Sequence, residues 1–204
     1  MKMLGLAVVT AMAAMAFVGA STASANPETI VLCEAAELEC GKPFAKKTTI
    51  TSHATNPKLY STVGIVECKE SLSEVELLNE LSALGVAHVK ALTFAGECHL
   101  EKTACTVTTV SKGDLSFTKS GALSANVLAI KNAKEEETAT NVKCGFLVNC
   151  TYSGSPKLTI SSTAGGETVL VAAKAKLERS SGFCPATSEW EAKYVSLGAQ
   201  WIES

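Results

Sequence analysis

The sequence predicts an all-β protein: an antiparallel β-sandwich, or the same strands closed into a barrel, with disulfides and one short helix near 74–84. Three observations predict it. Runs rich in Thr, Val and Ile recur between Gly, Ser, Pro and Asn breaks, as in folds built from many short strands. Eight cysteines, an even number, all follow an export-type leader and imply a disulfide framework. The 204 residues are 47% hydrophobic and 19% charged, enough apolar content for one core, and the length suits a single domain over residues 26–204.

Residues 1–25 read as a secretory signal peptide. Lys2 supplies the positive start, Leu4 to Val18 the uncharged apolar stretch, and Ala23-Ser24-Ala25 the small-x-small cleavage pattern. The apolar run falls short of the ~20 residues that span a bilayer. No comparable run follows, so no membrane span is expected in the mature chain. All four methionines precede the cut, and a mature chain without methionine escapes sulfoxide damage in an oxidising exterior. The expected location is extracellular or at the cell wall.

The cysteines are Cys33, Cys40, Cys68, Cys98, Cys105, Cys144, Cys150 and Cys184. Cys33/Cys40, Cys98/Cys105 and Cys144/Cys150 are close pairs of the kind that adjacent antiparallel strands bring within bridging distance. That assignment leaves Cys68 with Cys184. Each short loop would contribute roughly 2–3 kcal/mol and the long one nearly 5. A zinc site using Cys98, His99 and Cys105 is the alternative, but the chain has no CxxC pair and an oxidised sulfur does not ligate as thiolate.

Expected strands are Thr29–Leu32, Lys47–Ser52, Tyr60–Cys68, Val86–Ala95, Cys105–Val110, Asp114–Lys119, Leu123–Lys131, Thr138–Cys144, Lys157–Ser162, Thr168–Leu177 and Glu189–Ser196. Two alternations are clean. Val169, Val171, Ala173, Ala175 and Leu177 share one face opposite Lys174 and Lys176, and Trp190, Ala192 and Tyr194 oppose Glu189, Glu191 and Lys193. Ser73-Glu74-Val75-Glu76 is instead a capping box, followed by leucines at helical spacing and by Gly85, so Glu74–Leu84 taken alone is a helix. Lys134-Glu135-Glu136-Glu137 reads as an exposed charged turn.

Composition excludes several functions. With 18 basic against 20 acidic residues and Arg179 the one arginine, nothing favours nucleic acid. Asp114 is the one aspartate, so Asp-rich calcium loops are absent. GxSxG, HExxH and glycine-rich nucleotide signatures are missing, so no catalytic residue, metal or cofactor is expected. His88 reads as a satisfied or surface histidine within a strand. A glycosidase-type mechanism would need two converging carboxylates among the 19 glutamates; Glu189 and Glu191 flank Trp190 and could line a sugar-binding surface, but they share a strand face and read first as a solvated one. Trp190 and Trp201 are the residues expected to contact a ligand.

The motifs Val142-Lys143-Cys144, Cys150-Thr151-Tyr152-Ser153-Gly154, Phe183-Cys184-Pro185-Ala186-Thr187-Ser188-Glu189-Trp190 and Thr93-Phe94-Ala95-Gly96-Glu97-Cys98 carry a resemblance. The chain resembles uncharacterised secreted proteins of soil actinobacteria with paired cysteines in a β-rich body. The resemblance implies export and a stapled scaffold, and no activity. The expected role is therefore structural or binding, at the cell surface, with cell-wall polysaccharide or another exported protein as partner. A secreted carbohydrate hydrolase using paired glutamates, or a self-assembling surface protein, are the alternatives.

Overall fold

The computed structural model describes residues 31–34, 43–78, 85–121, 123–163, 167–181, 184–197 and 201–203. The expected signal peptide, Cys40 and residues 79–84 lie outside them, as do the side chains of Trp201 and its neighbours.

The structure is all-β and antiparallel, as the sequence predicts, and the described residues contain no helix. The first half of the chain forms β1 (Val31–Cys33), β2 (Thr49–Thr55), β3 (Lys58–Ser61), β4 (Gly64–Glu67), β5 (Glu70–Leu77), β6 (Gly85–Ala95), β7 (Cys98–Leu100) and β8 (Thr103–Ser111). The second half forms β9 (Asp114–Gly121), β10 (Ser124–Ile130), β11 (Ala139–Cys144), β12 (Val148–Ser153), β13 (Lys157–Ser162), β14 (Thr168–Ser181), β15 (Thr187–Ser196) and β16 (Trp201–Glu203).

Fourteen of these strands, β2 to β15, close into one barrel, and β1 pairs with β16 in a separate ribbon. The pairing reduces to a simpler plan. β2–β3, β4–β5, β6–β7, β8–β9, β10–β11 and β12–β13 are six long strands, each bent once, and β14 and β15 complete the ring. β2 pairs with β5 while β3 pairs with β4. β5 pairs with β6 while β4 pairs with β7. The same holds around to β15, which returns to β2 and β3. The barrel is thus an eight-stranded meander in which neighbours in space are neighbours in sequence, save where the last strand closes onto the first and leaves the sheet without edges.

Backbone breaks mark the bends. Asn56 (φ 50°) precedes Pro57, Gly96 and Glu97 both have positive φ, and Lys174 (φ 49°) makes a bulge in β14. Gly113, between β8 and β9, has no room for a side chain: a Cβ there would lie 2.5 Å from the Ile130 carbonyl oxygen. At the β10–β11 bend, Asn132 organises the expected charged turn. Its Oδ1 accepts from the backbone of Lys134 and Glu136, and its Nδ2 donates to the Lys112 carbonyl.

Two large buried clusters fill the two halves of the barrel, and a third, smaller one joins Ala54, Ala192 and Tyr194. Ile50, Leu77, Val89, Leu115, Phe117, Val127 and Ile160 form one, with Leu32 and Phe44 of the ribbon region packed on it. Leu59, Val66, Val107, Val142, Tyr152 and four buried cysteines form the other. The outer face carries exposed Thr106, Thr108, Thr118, Asn126, Thr159, Lys176, Glu189 and Lys193, with Ile65, Val110 and Leu128 exposed among them. That mixed, mainly polar face differs from the continuous apolar outer band of a transmembrane barrel. No helix among the described residues is long and apolar enough to cross a membrane.

The disulfides correct the expected pairing. They join Cys68 to Cys98, Cys105 to Cys144 and Cys150 to Cys184. Cys33 is disulfide-bonded as well, and its expected partner Cys40 lies outside the described residues. The register explains the difference. Cys105 is the Cα partner of both Cys98 and Cys144. A Cys98–Cys105 bridge would strand Cys68 and Cys144, whereas the observed pairing satisfies all four. The three-residue turn 145–147 sets Cys144 opposite Val148 and Cys150 opposite Val142, so Cys144 and Cys150 are out of register. Each bridge spans 30 to 39 residues and contributes about 4 kcal/mol on the chain-entropy model.

The expected helix is also corrected. Glu74–Leu77 belongs to β5, which pairs along its whole length with β2 and β6. The period-2 pattern Ser71, Ser73, Val75, Leu77 runs unbroken through β5, the extra residue of the β5–β6 irregularity being Lys90 of β6, and two ladders outweigh a local capping preference.

Candidate ligand-binding cavity

The inner face is built from alternate residues of each long strand. In β15 these are Ser188, Trp190, Ala192 and Tyr194, as the alternation predicts. In β14 the bulge reverses the parity read from the sequence. Leu170 and Ala172 face inward before it and Ala175 and Leu177 after it, so Val169 and Val171 do not share a face with Leu177.

Many inner positions are small: Ala54, Ser71, Ser73, Ala87, Ala125, Ala129, Ala172 and Ala192 are all buried. An eight-stranded barrel is just wide enough for ordinary side chains to fill it, and these leave space. An apolar cavity of about 120 Å³ lies between the two clusters at the level of the bends. Every one of the eight long strands contributes to its wall, among them Leu59, Val66, Leu92, Leu115, Ala129, Val142, Tyr152, Leu158, Leu177 and Trp190. A smaller space of about 40 Å³ lies toward the ribbon, lined by Ile50, Leu77, Phe117 and Ile160. Ser73, Leu115, Leu170 and Tyr194 are walls of both.

Trp190 stands inside the barrel, its ring perpendicular (88°) to Phe94 at 5.4 Å between centroids, an edge-to-face contact. It is a cavity wall, not a surface shelf for sugars. Tyr194 hydrogen-bonds Ser71 at 2.9 Å, both buried. Burial pushes the Tyr194 phenol far above the ordinary tyrosine value, and the Ser71 hydrogen bond opposes this weakly. Burial also raises Tyr152, against the nearby Arg179. The Ser188 Oγ, on the same inner face beyond Trp190, is buried with no hydrogen-bond partner among the described residues.

The other sequence candidates sit outside the lumen. Glu189 and Glu191 share β15's outer face, and Glu191 aligns with Lys58 of β3. Cys98 and Cys105 are oxidised, which removes the thiolates a zinc site needs. His88 is satisfied by Asp114 of the facing strand, Nδ1 to Oδ1 at 2.6 Å. The sequence reading missed the cavity itself. Its signal was the small residues at alternate positions, Ser71 and Ser73 in β5 and Ala125 and Ala129 in β10, which only closure of the barrel turns into a space.

Fold and lumen together define a class: a closed antiparallel meander barrel with an apolar interior and a polar exterior. No family model, no curated protein and no solved structure matches the chain.

Proposed function

We propose that the protein is a non-catalytic, exported binding protein whose barrel holds one small apolar molecule. The observation that carries this reading is the cavity. An empty space of about 120 Å³ in a packed core costs about 3 kcal/mol at 24 cal/mol per Å³. A purely structural scaffold gains nothing from that cost, whereas a binding protein recovers it when the ligand fills the space. Closed eight-stranded barrels are a recurring way of holding one small ligand, a fold-level analogy that agrees with the lumen. An engineered cavity of 150 Å³ holds benzene, so the expected ligand has roughly six or seven non-hydrogen atoms. At the efficiency of very small ligands, affinities between about 1 mM and 1 μM follow.

Export is part of the proposal. It is supported by the leader at 1–25 and by three disulfides, which persist in oxidising compartments. A glutamate-based hydrolase is less favoured, because Glu189 and Glu191 lie on the outer face of β15 and line neither of the two spaces. Assembly through strand edges is less favoured because the main sheet closes on itself.

Titration of the mature protein carrying Trp201→Phe with small aromatic and alicyclic molecules, read by Trp190 fluorescence, tests the reading. Saturable quenching or spectral shift with one site per chain is expected. Linear, unsaturable responses across the whole panel would remove it.

A further inference from the structure

Resting on the reading of the lumen as a binding site, we propose that its ligand is electrically neutral and carries one hydroxyl or carbonyl oxygen, anchored by Ser73 and Tyr194.

The first observation concerns charge. Among the described residues, no Lys, Arg, His, Asp or Glu side chain lines either space. A carboxylate, phosphate or ammonium placed there would lose its water with no opposite charge to replace it, a loss that hydroxyls alone do not recover. Fatty acids and phosphate esters are therefore the wrong class, whatever their apolar bulk.

The second observation concerns hydrogen bonds. Ser73 lies where the two spaces meet, is only 8% exposed, and its hydroxyl has no hydrogen bond among the described residues. Tyr194, 5% exposed, walls the same junction and shares one hydrogen bond with Ser71. Two hydroxyls bring two protons, and their mutual bond uses one. With Ser71 donating to the Tyr194 Oη, the phenol proton is free to point into the lumen. Ser73 adds a second free donor that also accepts. Buried polar groups are nearly always paired, so two such donors at one junction call for an acceptor oxygen in the occupant. The apolar remainder of the ligand then occupies the larger space, against Leu59, Leu177 and Trp190.

The test uses four probes of similar size at pH 7: phenol, toluene, benzoate and benzylammonium, with binding measured by calorimetry. The neutral pair is expected to bind at least a hundredfold tighter than either ion. Ser73→Ala and Tyr194→Phe are expected to weaken phenol about threefold to tenfold and to leave toluene unchanged, with Ser73→Ala sufficient alone if Tyr194→Phe perturbs folding. Benzoate or benzylammonium binding as tightly as phenol would overturn the inference while leaving the lumen as a binding site. So would a phenol affinity indifferent to Ser73→Ala. Binding of none of the four would remove the lumen as a small-molecule site, and this inference with it.

Discussion

Cys98 and Cys105 face each other directly across the β7–β8 ladder, yet they are not bonded to each other. Each bonds the cysteine on its other side, so that two bridges tie four consecutive long strands at one end of the barrel. The choice between the two pairings lies in the register of the whole row, not in the hairpin. In the double variant Cys68→Ala/Cys144→Ala, Cys98 and Cys105 are left as sole neighbours and are expected to bond to each other. Non-reducing peptide mapping checks this, and free thiols at both positions would show that the register differs from the one described. Loss of two long loops in exchange for one short one is expected to cost several kcal/mol of unfolding free energy, measured in urea.

Trp190 packs edge-on to Phe94 and walls the cavity. Trp190→Ala enlarges an existing space and removes an aromatic pair, so a loss of about 3–5 kcal/mol is expected in denaturant unfolding. A change below about 1 kcal/mol would place the indole at the surface.

Ser188 buries an unpaired hydroxyl. Removing it relieves a desolvation cost of about 1–3 kcal/mol, offset in part by the loss of an atom's packing. Ser188→Ala is therefore expected to raise the thermal midpoint, and a lowered midpoint would mean that the hydroxyl is paired.

Tyr194 and Tyr152 both hold their protons more firmly in the folded barrel than in the unfolded chain. Their contribution is fully present below the unfolded value near pH 10 and is lost as pH rises through the higher folded values, because the unfolded chain releases those protons first. Stability is thus expected to fall between about pH 10 and 12. Tyr194→Phe, which has no proton to lose there, is expected to show a shallower fall, checked by urea unfolding at a series of pH values. Identical slopes in the two proteins would place the phenol in water.

Much of this fold is legible in the sequence, and the reasons are local. The run 105–110, rich in Thr and Val, and the runs 114–119 and 157–162, carrying Phe117, Thr118, Thr159 and Ile160, are strands because β-branched and aromatic residues suit a pleated sheet, and the alternation at Glu189–Ser196 correctly turns Trp190 inward. What was hidden depends on pairing. β5 carries a helical signature that two neighbouring ladders override, and a positive φ at Lys174 slides the parity of β14 in mid-strand. The disulfide partners and the cavity belong to the closed ring, and no segment read alone contains them.

The measurement that bears most directly on the whole picture is a crystal of the mature protein equilibrated under xenon. Xenon occupies dry apolar cavities of this size. Its anomalous density is expected inside the barrel, bounded by Leu59, Leu177 and Trp190, at one main position per chain. A lumen filled by its own side chains, with xenon absent or confined to surface sites, would contradict the binding role proposed for the barrel.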